Sequence, residues 1–174
     1  RGNLGSPGQN STFMVRVAEG EEIGQIWGPV FDVVDENGAP VMKDLNGDGE
    51  IRSAQGDALL PEGDFEALGN GLPDLEIGWT NELTYKNWDF NAFFRGAFGH
   101  SLINTYRAFY EPIDPGAINS YNRIKSDKSV DGLTVSQFSS LYVEKADFFK
   151  LDNVTIGYNF DMSNSSAFKN IRLY

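Results

Sequence analysis

Residues 44–51 carry oxygen-bearing side chains at alternate positions, with a glycine at the sixth position of the segment. This spacing matches the first half of an EF-hand-type calcium loop, in which positions one, three and five supply side-chain oxygens and position seven supplies a backbone carbonyl. Hard oxygen ligands of this kind suit calcium. The sequence therefore predicts a structural calcium ion, with these candidate ligands: Asp44, Asn46, Asp48, Glu50, Gln55 and Asp57.

The twelfth position of the loop limits this prediction. Gln55 stands where a bidentate glutamate would complete the calcium site, and its amide supplies only one oxygen. Asp57, two residues further along, could replace it if the loop bulges. We therefore expect an affinity below that of cytosolic calcium sensors. The alternative interpretation is a cluster of Asx and glycine turns that needs no metal.

Residues suited to catalysis are scarce. His100 is the only histidine and the chain has no cysteine, so thiolate metal sites and disulfides are excluded. The sequence has no nucleophile-elbow motif, no phosphate-binding loop and no acidic spacing typical of a glycosidase pair. We predict that the protein is not an enzyme. The net charge of −11 also argues against nucleic-acid binding, which requires a basic surface.

Aromatic side chains accumulate in or beside the long polar segment at residues 100–145. Exposed aromatic rings can stack on sugar rings or anchor a protein interface. The alternative is packing within the loop itself. The candidate substrate or partner surface consists of Tyr106, Phe109, Tyr110, Tyr121 and Tyr142.

The middle of the chain contains two segments of eleven residues, Leu75–Tyr85 and Trp88–Phe98, in which apolar and polar residues alternate. Period-two alternation predicts β-strands, and eleven residues match a tilted strand that crosses a bilayer. In the two-residue connection, Asn87 can adopt a positive φ, but Lys86 is not a favoured residue for a primed turn. Residues 147–160 alternate in the same way. The predicted lipid-facing residues are Ile77, Trp79, Leu83, Tyr85, Trp88, Phe90, Val154, Ile156 and Tyr158.

The connections between the predicted strands alternate in length. They are short at residues 86–87 and 161–169 and long at residues 100–145, and the aromatic residues at strand ends lie on the short-turn side. A membrane barrel has this arrangement, because it carries short turns on one side, long loops on the other and aromatic girdles at both interfaces. The pattern favours an all-β fold with antiparallel transmembrane strands over a β-sandwich core.

The remaining segments give weaker signals. Residues 12–17 and 170–174 alternate and predict strands, and residues 23–34 predict an edge or broken strand because of Pro29. Residues 1–11 and 61–74 are rich in glycine and proline and predict irregular structure.

Three blocks carry a resemblance to a known family. They are DLNGDGEI at residues 44–51, GNGLP at residues 69–73 followed by Gly78, Asn81, Tyr85, Lys86 and FRGAFG at residues 94–99, and VEKADFFKLDNVTIGY at residues 143–158. In order and spacing they resemble the C-terminal part of the barrel in SusC/RagA-type TonB-dependent outer-membrane transporters. The resemblance covers about residues 19–174, and the third block is its most specific part.

The resemblance implies that residues 1–174 are part of the C-terminal half of a 22-stranded plugged barrel in the bacterial outer membrane. Such transporters take up nutrients, often oligosaccharides or peptides, with energy delivered through TonB and with a SusD-like surface lipoprotein as partner. The calcium-loop segment at about residues 35–74 and the long loop at about residues 100–145 would be extracellular. We expect this chain to be a fragment without the plug, the final strands or a signal peptide.

Two other functions remain open at this point. One is a secreted, calcium-stabilised β-sandwich module that binds carbohydrate, and the other is a surface adhesin. Dependence on detergent would separate the transporter from the soluble module.

Overall fold

The computed structural model describes residues 2–5, 13–51, 63–113, 123–162, 164 and 170–174. Antiparallel strands dominate this part of the chain, as the all-β prediction requires. No helix within it combines the length and the apolar character needed to cross a bilayer. The strands are β1 (Gly2–Gly5), β2 (Phe13–Val17), β3 (Gln25–Pro29), β4 (Phe31–Val34), β5 (Pro40–Met42), β6 (Phe65–Asn70), β7 (Leu75–Tyr85), β8 (Trp88–Phe98), β9 (Ser101–Ile103), β10 (Val143–Lys145), β11 (Phe148–Asp161) and β12 (Asn170–Leu173).

The chain folds as two compact units. The first unit comprises Arg1–Leu72 and His100–Ala146, and the second comprises Pro73–Gly99 and Asp147–Tyr174. Two short helical segments, helix α1 (Thr105–Tyr110) and a 3₁₀ turn (Ser140–Tyr142), belong to the first unit.

The second unit is a four-stranded antiparallel sheet in the order β12-β11-β8-β7. Strands β7 and β8 have the predicted bounds, and Tyr85 pairs directly with Trp88 across the two-residue turn. In this turn Lys86 has the positive φ, at 55°, although lysine is not a favoured residue there, and Asn87 does not. The carbonyl of Asn87 instead accepts a hydrogen bond from the backbone N–H of Asn159, at 2.8 Å, which ties the turn to β11.

Strand β11 contains a bulge that the alternation did not predict. Leu151 pairs with Phe94 and Asn153 pairs with Phe93, so Asp152 is one extra residue. Because side chains alternate strictly along a regular strand, one extra residue reverses the alternation beyond it. Phe149 and Leu151 on one side of the bulge therefore share a face with Val154, Ile156 and Tyr158 on the other.

The first unit contains a sheet in the order β1-β2-β3-β6, a β4-β5 pair and a β10-β9 pair. Val30 separates β3 from β4 directly after Pro29, as expected for a broken strand. Residues 61–74 were predicted to be irregular, but β6 forms there because it pairs with β3. Strand β1 likewise lies in a segment predicted to be a loop. The long polar segment also carries structure of its own, in β9, α1, the 3₁₀ turn and β10.

In the core of the first unit, an aromatic ring packs against a glycine of β3. A Cβ atom at Gly28 would lie 2.6 Å from the ring of Phe138, so this ring packs directly on the backbone of β3. Phe138 is 1% exposed, and Ile26, on β3, is 4% exposed. A second buried cluster joins Ala108, Leu133 and Tyr142. These contacts hold α1 and the end of the long segment in place.

Candidate functional site

One face of the sheet in the second unit is apolar and exposed. The predicted lipid-facing residues of β7, β8 and β11 lie together on this face, because the register places Leu83, Phe90 and Ile156 side by side. It does the same for Tyr85, Trp88 and Tyr158. Trp79 and Leu83 expose 54% and 65% of their surface, and Ile156 exposes 57%. The rings of Trp79, Phe94 and Phe149 stack in a row across three strands, with centroids 5.4 Å and 5.7 Å apart.

Aromatic residues also cluster at the turn end of this apolar face. The rings of Trp88 and Tyr158 meet edge to face at 4.7 Å, and Tyr158 meets Phe160 in the same way at 4.6 Å. Tyr85 completes the cluster and is 71% exposed, with the ammonium group of Lys86 5.3 Å from its ring centre. Aromatic side chains of this kind suit a boundary between apolar and aqueous surroundings, because each presents an apolar body and a polar tip.

The opposite face of the same sheet is polar and cross-linked by ion pairs. Asp152, in the bulge, contacts Arg95 at 2.9 Å and Lys150 at 2.8 Å. Asp89 pairs with Arg172, two strands away in the sheet. The two faces thus have opposite chemistry, which is the division that a membrane wall requires and that sequence alternation predicted.

In the first unit, Arg107 is the centre of a buried ion cluster. Its Nε contacts Glu111 at 2.9 Å and its Nη1 contacts Glu144 at 2.7 Å. The same guanidinium donates to the carbonyls of Leu141, at 3.1 Å, and Lys128, at 2.8 Å. Arg107 is 5% exposed. It therefore joins α1 to three other parts of the long segment.

The electrostatics of this cluster keep its members ionised. Burial acts to raise the pKa of Glu111, but hydrogen bonds from Arg107, Ser126 and Ser129 outweigh it and hold that pKa below the ordinary value. The hydrogen bond from Arg107 is also the main reason why the pKa of Glu144 is lowered. The sequence reasoning missed this cluster, although the spacing of Arg107 and Glu111 by four residues is a known signal of a helical ion pair.

The acidic segment forms a turn that is stabilised by its own backbone. Asp44 accepts hydrogen bonds from the N–H groups of Gly47, at 2.6 Å, and Gly49, at 2.8 Å. Asn46 accepts from Asp48, and Asp48 accepts from Glu50. Gly49 has a φ of 82°, in agreement with the sharp turn expected at this position.

A buried carboxylate anchors this turn. Asp64, which is fully buried, accepts a hydrogen bond from the backbone N–H of Leu45 at 2.9 Å. The described part of the chain contains no group of three acidic or histidine side chains that could hold a metal ion, and Gln55 and Asp57 lie outside the described residues. The calcium site therefore stays a prediction, and the hydrogen bonds within the turn agree with the alternative of Asx and glycine turns.

The residues of the predicted aromatic surface differ in their exposure to solvent. Tyr106 and Tyr110 lie on α1 with ring centres 4.7 Å apart, and Tyr106 is 60% exposed. Phe109, on the same helix, is only partly exposed. Tyr142 was wrongly assigned to a surface, because it is 1% exposed and packs against Ala108. Tyr121 lies outside the described residues.

Comparison with known proteins places these features in context. No family model matches the chain. It is similar to the TonB-dependent receptor P3 of Formosa agariphila, at 26% identity over 95% of the chain, and to the TonB-dependent receptor SusC of Bacteroides thetaiotaomicron, at 26% identity over 74% of the chain. It covers 18% of the first relative and 13% of the second. The chain thus corresponds to a segment of these relatives. They are named as receptors and not as enzymes, in agreement with the prediction of no enzymatic activity.

Solved structures share the fold of this segment. The RagAB peptide transporter matches with a TM-score of 0.57 at 16% identity, over 85% of this chain and 18% of that chain. The RagAB peptide importer in its open-open state matches with a TM-score of 0.58 at 16% identity, over 92% of this chain and 20% of that chain. The antiparallel sheets described above therefore correspond to part of a RagA-type structure.

Proposed function

Because this chain is, over a segment, a relative of the SusC/RagA-type TonB-dependent receptors, we propose that it forms wall strands and external loops of an outer-membrane transporter. The transporter imports a nutrient, an oligosaccharide or a peptide, through a plugged barrel that is energised through TonB. A SusD-like surface lipoprotein is its partner. The second unit supplies the wall, and residues 35–74 and 100–145 contribute extracellular loops.

The observation that carries this proposal is the division of the sheet into an exposed apolar face and an ion-paired polar face. A soluble protein rarely exposes a large contiguous apolar patch, since such a patch drives association. The apolar face here runs across all four strands and includes Trp79, Leu83 and Ile156, each more than half exposed. In a membrane wall this face contacts outer-membrane lipid, and burial in lipid stabilises it.

The polar face supports the proposal from the other side of the sheet. In a barrel, the side chains opposite the lipid face point into an aqueous or plugged lumen. The pairs of Asp152 with Arg95 and of Asp89 with Arg172 suit such surroundings, because both partners remain hydrated at their edges. In a sheet with lipid on both sides, these charged side chains would lie within the bilayer, at a high cost in free energy.

The choice of substrate and partner rests on the relatives. RagAB is named as a peptide transporter. We extend a SusD-like partner and an oligosaccharide or peptide substrate to this chain as part of the proposal. The pair of Tyr106, which is exposed, and Tyr110, which is half-buried, is the described surface that best suits a sugar ring or a protein partner, because tyrosine offers a flat apolar face and a polar tip.

Charge substitutions on the two faces of β7 test the proposal in the intact protein. Trp79→Arg places a charge near the middle of a wall strand on the lipid face, and we expect it to cost about 2–4 kcal/mol and to impair assembly. Thr80→Arg, on the next residue and the opposite face, is the matched control and should assemble normally. Heat-dependent mobility of the detergent-solubilised protein on a gel reports assembly.

The outcome separates the transporter from the β-sandwich module. A heat-modifiable species that is lost with Trp79→Arg and kept with Thr80→Arg is the expected result. A protein that stays soluble without detergent and shows no heat-dependent mobility would contradict the membrane wall and favour the secreted carbohydrate-binding or adhesion module.

A further inference from the structure

Three polar side chains meet on one face of the sheet in the first unit. Arg16, on β2, pairs directly with Gln25, on β3. Trp27 is two residues further along β3, so its side chain lies on the same face as that of Gln25. The guanidinium carbon of Arg16 lies 4.1 Å from the centre of the Trp27 ring. These three residues form one polar cluster, on the face of β3 opposite to the contact between Gly28 and Phe138.

Each member of the polar cluster has a buried polar atom without a hydrogen-bond partner among the described residues. These atoms are the Nε of Arg16, the Oε1 of Gln25 and the indole Nε1 of Trp27. Gln25 is 9% exposed, and Arg16 and Trp27 are half-buried. A buried polar atom without a partner is destabilising, and native structures contain few of them. Three such atoms on neighbouring residues therefore point to a ligand that pairs with them.

The side chains around the polar cluster do not supply these partners. Asn70 lies opposite Gln25 on β6. Its amide donates to Glu22 at 3.0 Å, and its Oδ1 accepts from the backbone N–H of Leu72 at 2.9 Å. Within the described part of the chain, no carboxylate forms an ion pair with Arg16, although the sequence has 25 acidic residues against 14 lysines and arginines. The half-buried charge of Arg16 is thus left for an anion to neutralise.

The donors of the polar cluster suit a carboxylate. A guanidinium group presents N–H donors in a planar fork and has no acceptor, so it binds the two oxygens of a carboxylate together. Stacking on the ring of Trp27 orients this fork, and the indole N–H is a further donor beside it. The Oε1 of Gln25 is an acceptor and requires an O–H or N–H group. The matching ligand is an organic carboxylate with a neighbouring hydrogen-bond donor.

We propose that Arg16, Gln25 and Trp27 form a binding site for an organic carboxylate. Two sources have this chemistry: a sugar acid, whose hydroxyl groups donate, and the C-terminal residue of a peptide, whose amide N–H donates. The choice of these two sources rests on the proposed function, since an imported oligosaccharide or peptide brings one or the other. The site itself belongs to the first unit, whereas the proposed wall belongs to the second.

Calorimetric titration of the intact, detergent-solubilised protein tests the site with defined probes. Glucuronate represents the sugar acid and N-acetylalanine represents the peptide terminus. Glucose and N-acetylalanine amide are their uncharged counterparts. We expect at least one carboxylate to bind, and its uncharged counterpart to bind roughly tenfold more weakly or less, because hydrogen bonds to a charged group are the stronger ones. The carboxylate that binds identifies the source.

Substitutions assign this binding to the polar cluster. Arg16→Gln removes the charge and should weaken carboxylate binding roughly tenfold or more. Arg123→Gln makes the same change at an exposed arginine of the same unit and should leave the affinity unchanged. Trp27→Phe keeps an aromatic ring beside the guanidinium but removes the indole N–H, so it should weaken binding by a smaller factor, roughly threefold.

The outcomes separate the site from the proposed function. Equal affinities for charged and uncharged probes, or equal carboxylate affinities in Arg16→Gln and Arg123→Gln, would overturn the inference. If Arg16→Gln does not fold, an unchanged affinity in Trp27→Phe would do the same. Absence of binding in a protein that keeps its heat-dependent mobility would overturn the inference and leave the proposed function intact. Carboxylate binding without heat-dependent mobility in the unsubstituted protein would support the site and contradict the membrane wall.

Discussion

Asp89 lies directly over Gly157 on the polar face of the sheet and forms an ion pair with Arg172 on the strand beyond. The contact links β8 to β12 across β11. It exists because residue 157 has no side chain, since a Cβ atom there would collide with the carboxylate. The glycine thus has a steric role that the alternation of the strand does not reveal.

We expect Gly157→Ala to destabilise the sheet by about 1–3 kcal/mol, because the methyl group would displace Asp89 and strain the strand. Gly78→Ala is the matched control, since its new Cβ atom would lie 3.6 Å from the ring of Phe93, at ordinary contact distance. The temperature at which the intact protein loses its folded gel mobility measures both changes. Equal temperatures for the two variants would contradict the steric role of Gly157.

Removal of Arg107 should loosen the long segment of the first unit. Arg107→Ala leaves Glu111 buried without its cation, and the loss of one partner from a buried pair costs about 3–5 kcal/mol. Hydrogen exchange in residues 123–145, followed by mass spectrometry on the intact protein, should become faster. Lys125→Ala is the control, because the ion pair of Lys125 with Asp131 is exposed and contributes little.

The same cluster gives an acid dependence with a definite sign. The pKa values of Glu111 and Glu144 are lowered in the folded protein, so both groups stabilise the fold above their ordinary value near 4.5. This stabilisation is lost as the pH falls through the lower folded values. Hydrogen exchange in residues 123–145, corrected for intrinsic rates, should stay constant between pH ~5 and ~7 and rise below pH ~4. A rise that begins near neutral pH would contradict this assignment.

The central hairpin was predictable because two independent signals agree. The alternation of apolar and polar residues indicates the two strands, and the positions of Tyr85 and Trp88 indicate their register. The predicted bounds of β7 and β8 are therefore those found in the structure. The bulge at Asp152 was not predicted, although its signal is present. Phe149 and Leu151 alternate out of phase with Val154 and Ile156, and such a change of phase in a continuous strand indicates one extra residue.

The elements that sequence reasoning missed depend on distant partners. Strand β6 is rich in small and polar residues and forms because β3 pairs with it. Helix α1 has only six residues, too few to be stable alone, and is held by Arg107 and the buried side chains around Ala108. Tyr142 was assigned to the surface because it lies in or beside the long polar segment, yet it is buried in a cluster with Ala108 and Leu133. Local patterns do not contain this information.

Calcium should protect the acidic turn if the ion binds there. We expect calcium at roughly 0.1–1 mM, the range of weak extracellular sites, to slow hydrogen exchange in residues 43–51. Asp48→Asn should abolish this protection, because it removes a charged ligand at the fifth position of the loop. Asp35→Asn is the control, since Asp35 forms a similar turn with Asn37 and Ala39 outside the loop. Identical exchange with and without calcium would favour turns that need no metal.

The hydroxyl group of Tyr142 is buried and, within the described residues, has no hydrogen-bond partner. A buried hydroxyl without a partner is destabilising, so Tyr142→Phe should be neutral at pH ~7 or should stabilise the first unit by about 1 kcal/mol. Burial also raises the pKa of Tyr142 to about 12. Because the unfolded tyrosine ionises near pH 10, the raised value means that stability is lost as the pH rises from about 10 to about 12.

Tyr142→Phe should remove this alkaline loss, which amounts to about 3 kcal/mol for a shift of this size. Tyr106→Phe is the control, because Tyr106 is 60% exposed and its substitution leaves the buried hydroxyl in place. Hydrogen exchange in residues 123–145 at pH ~8 and ~11, corrected for intrinsic rates, compares the two variants. An alkaline loss that persists in Tyr142→Phe would show that another group titrates there, and a marked loss of stability at neutral pH would show that the hydroxyl has a partner.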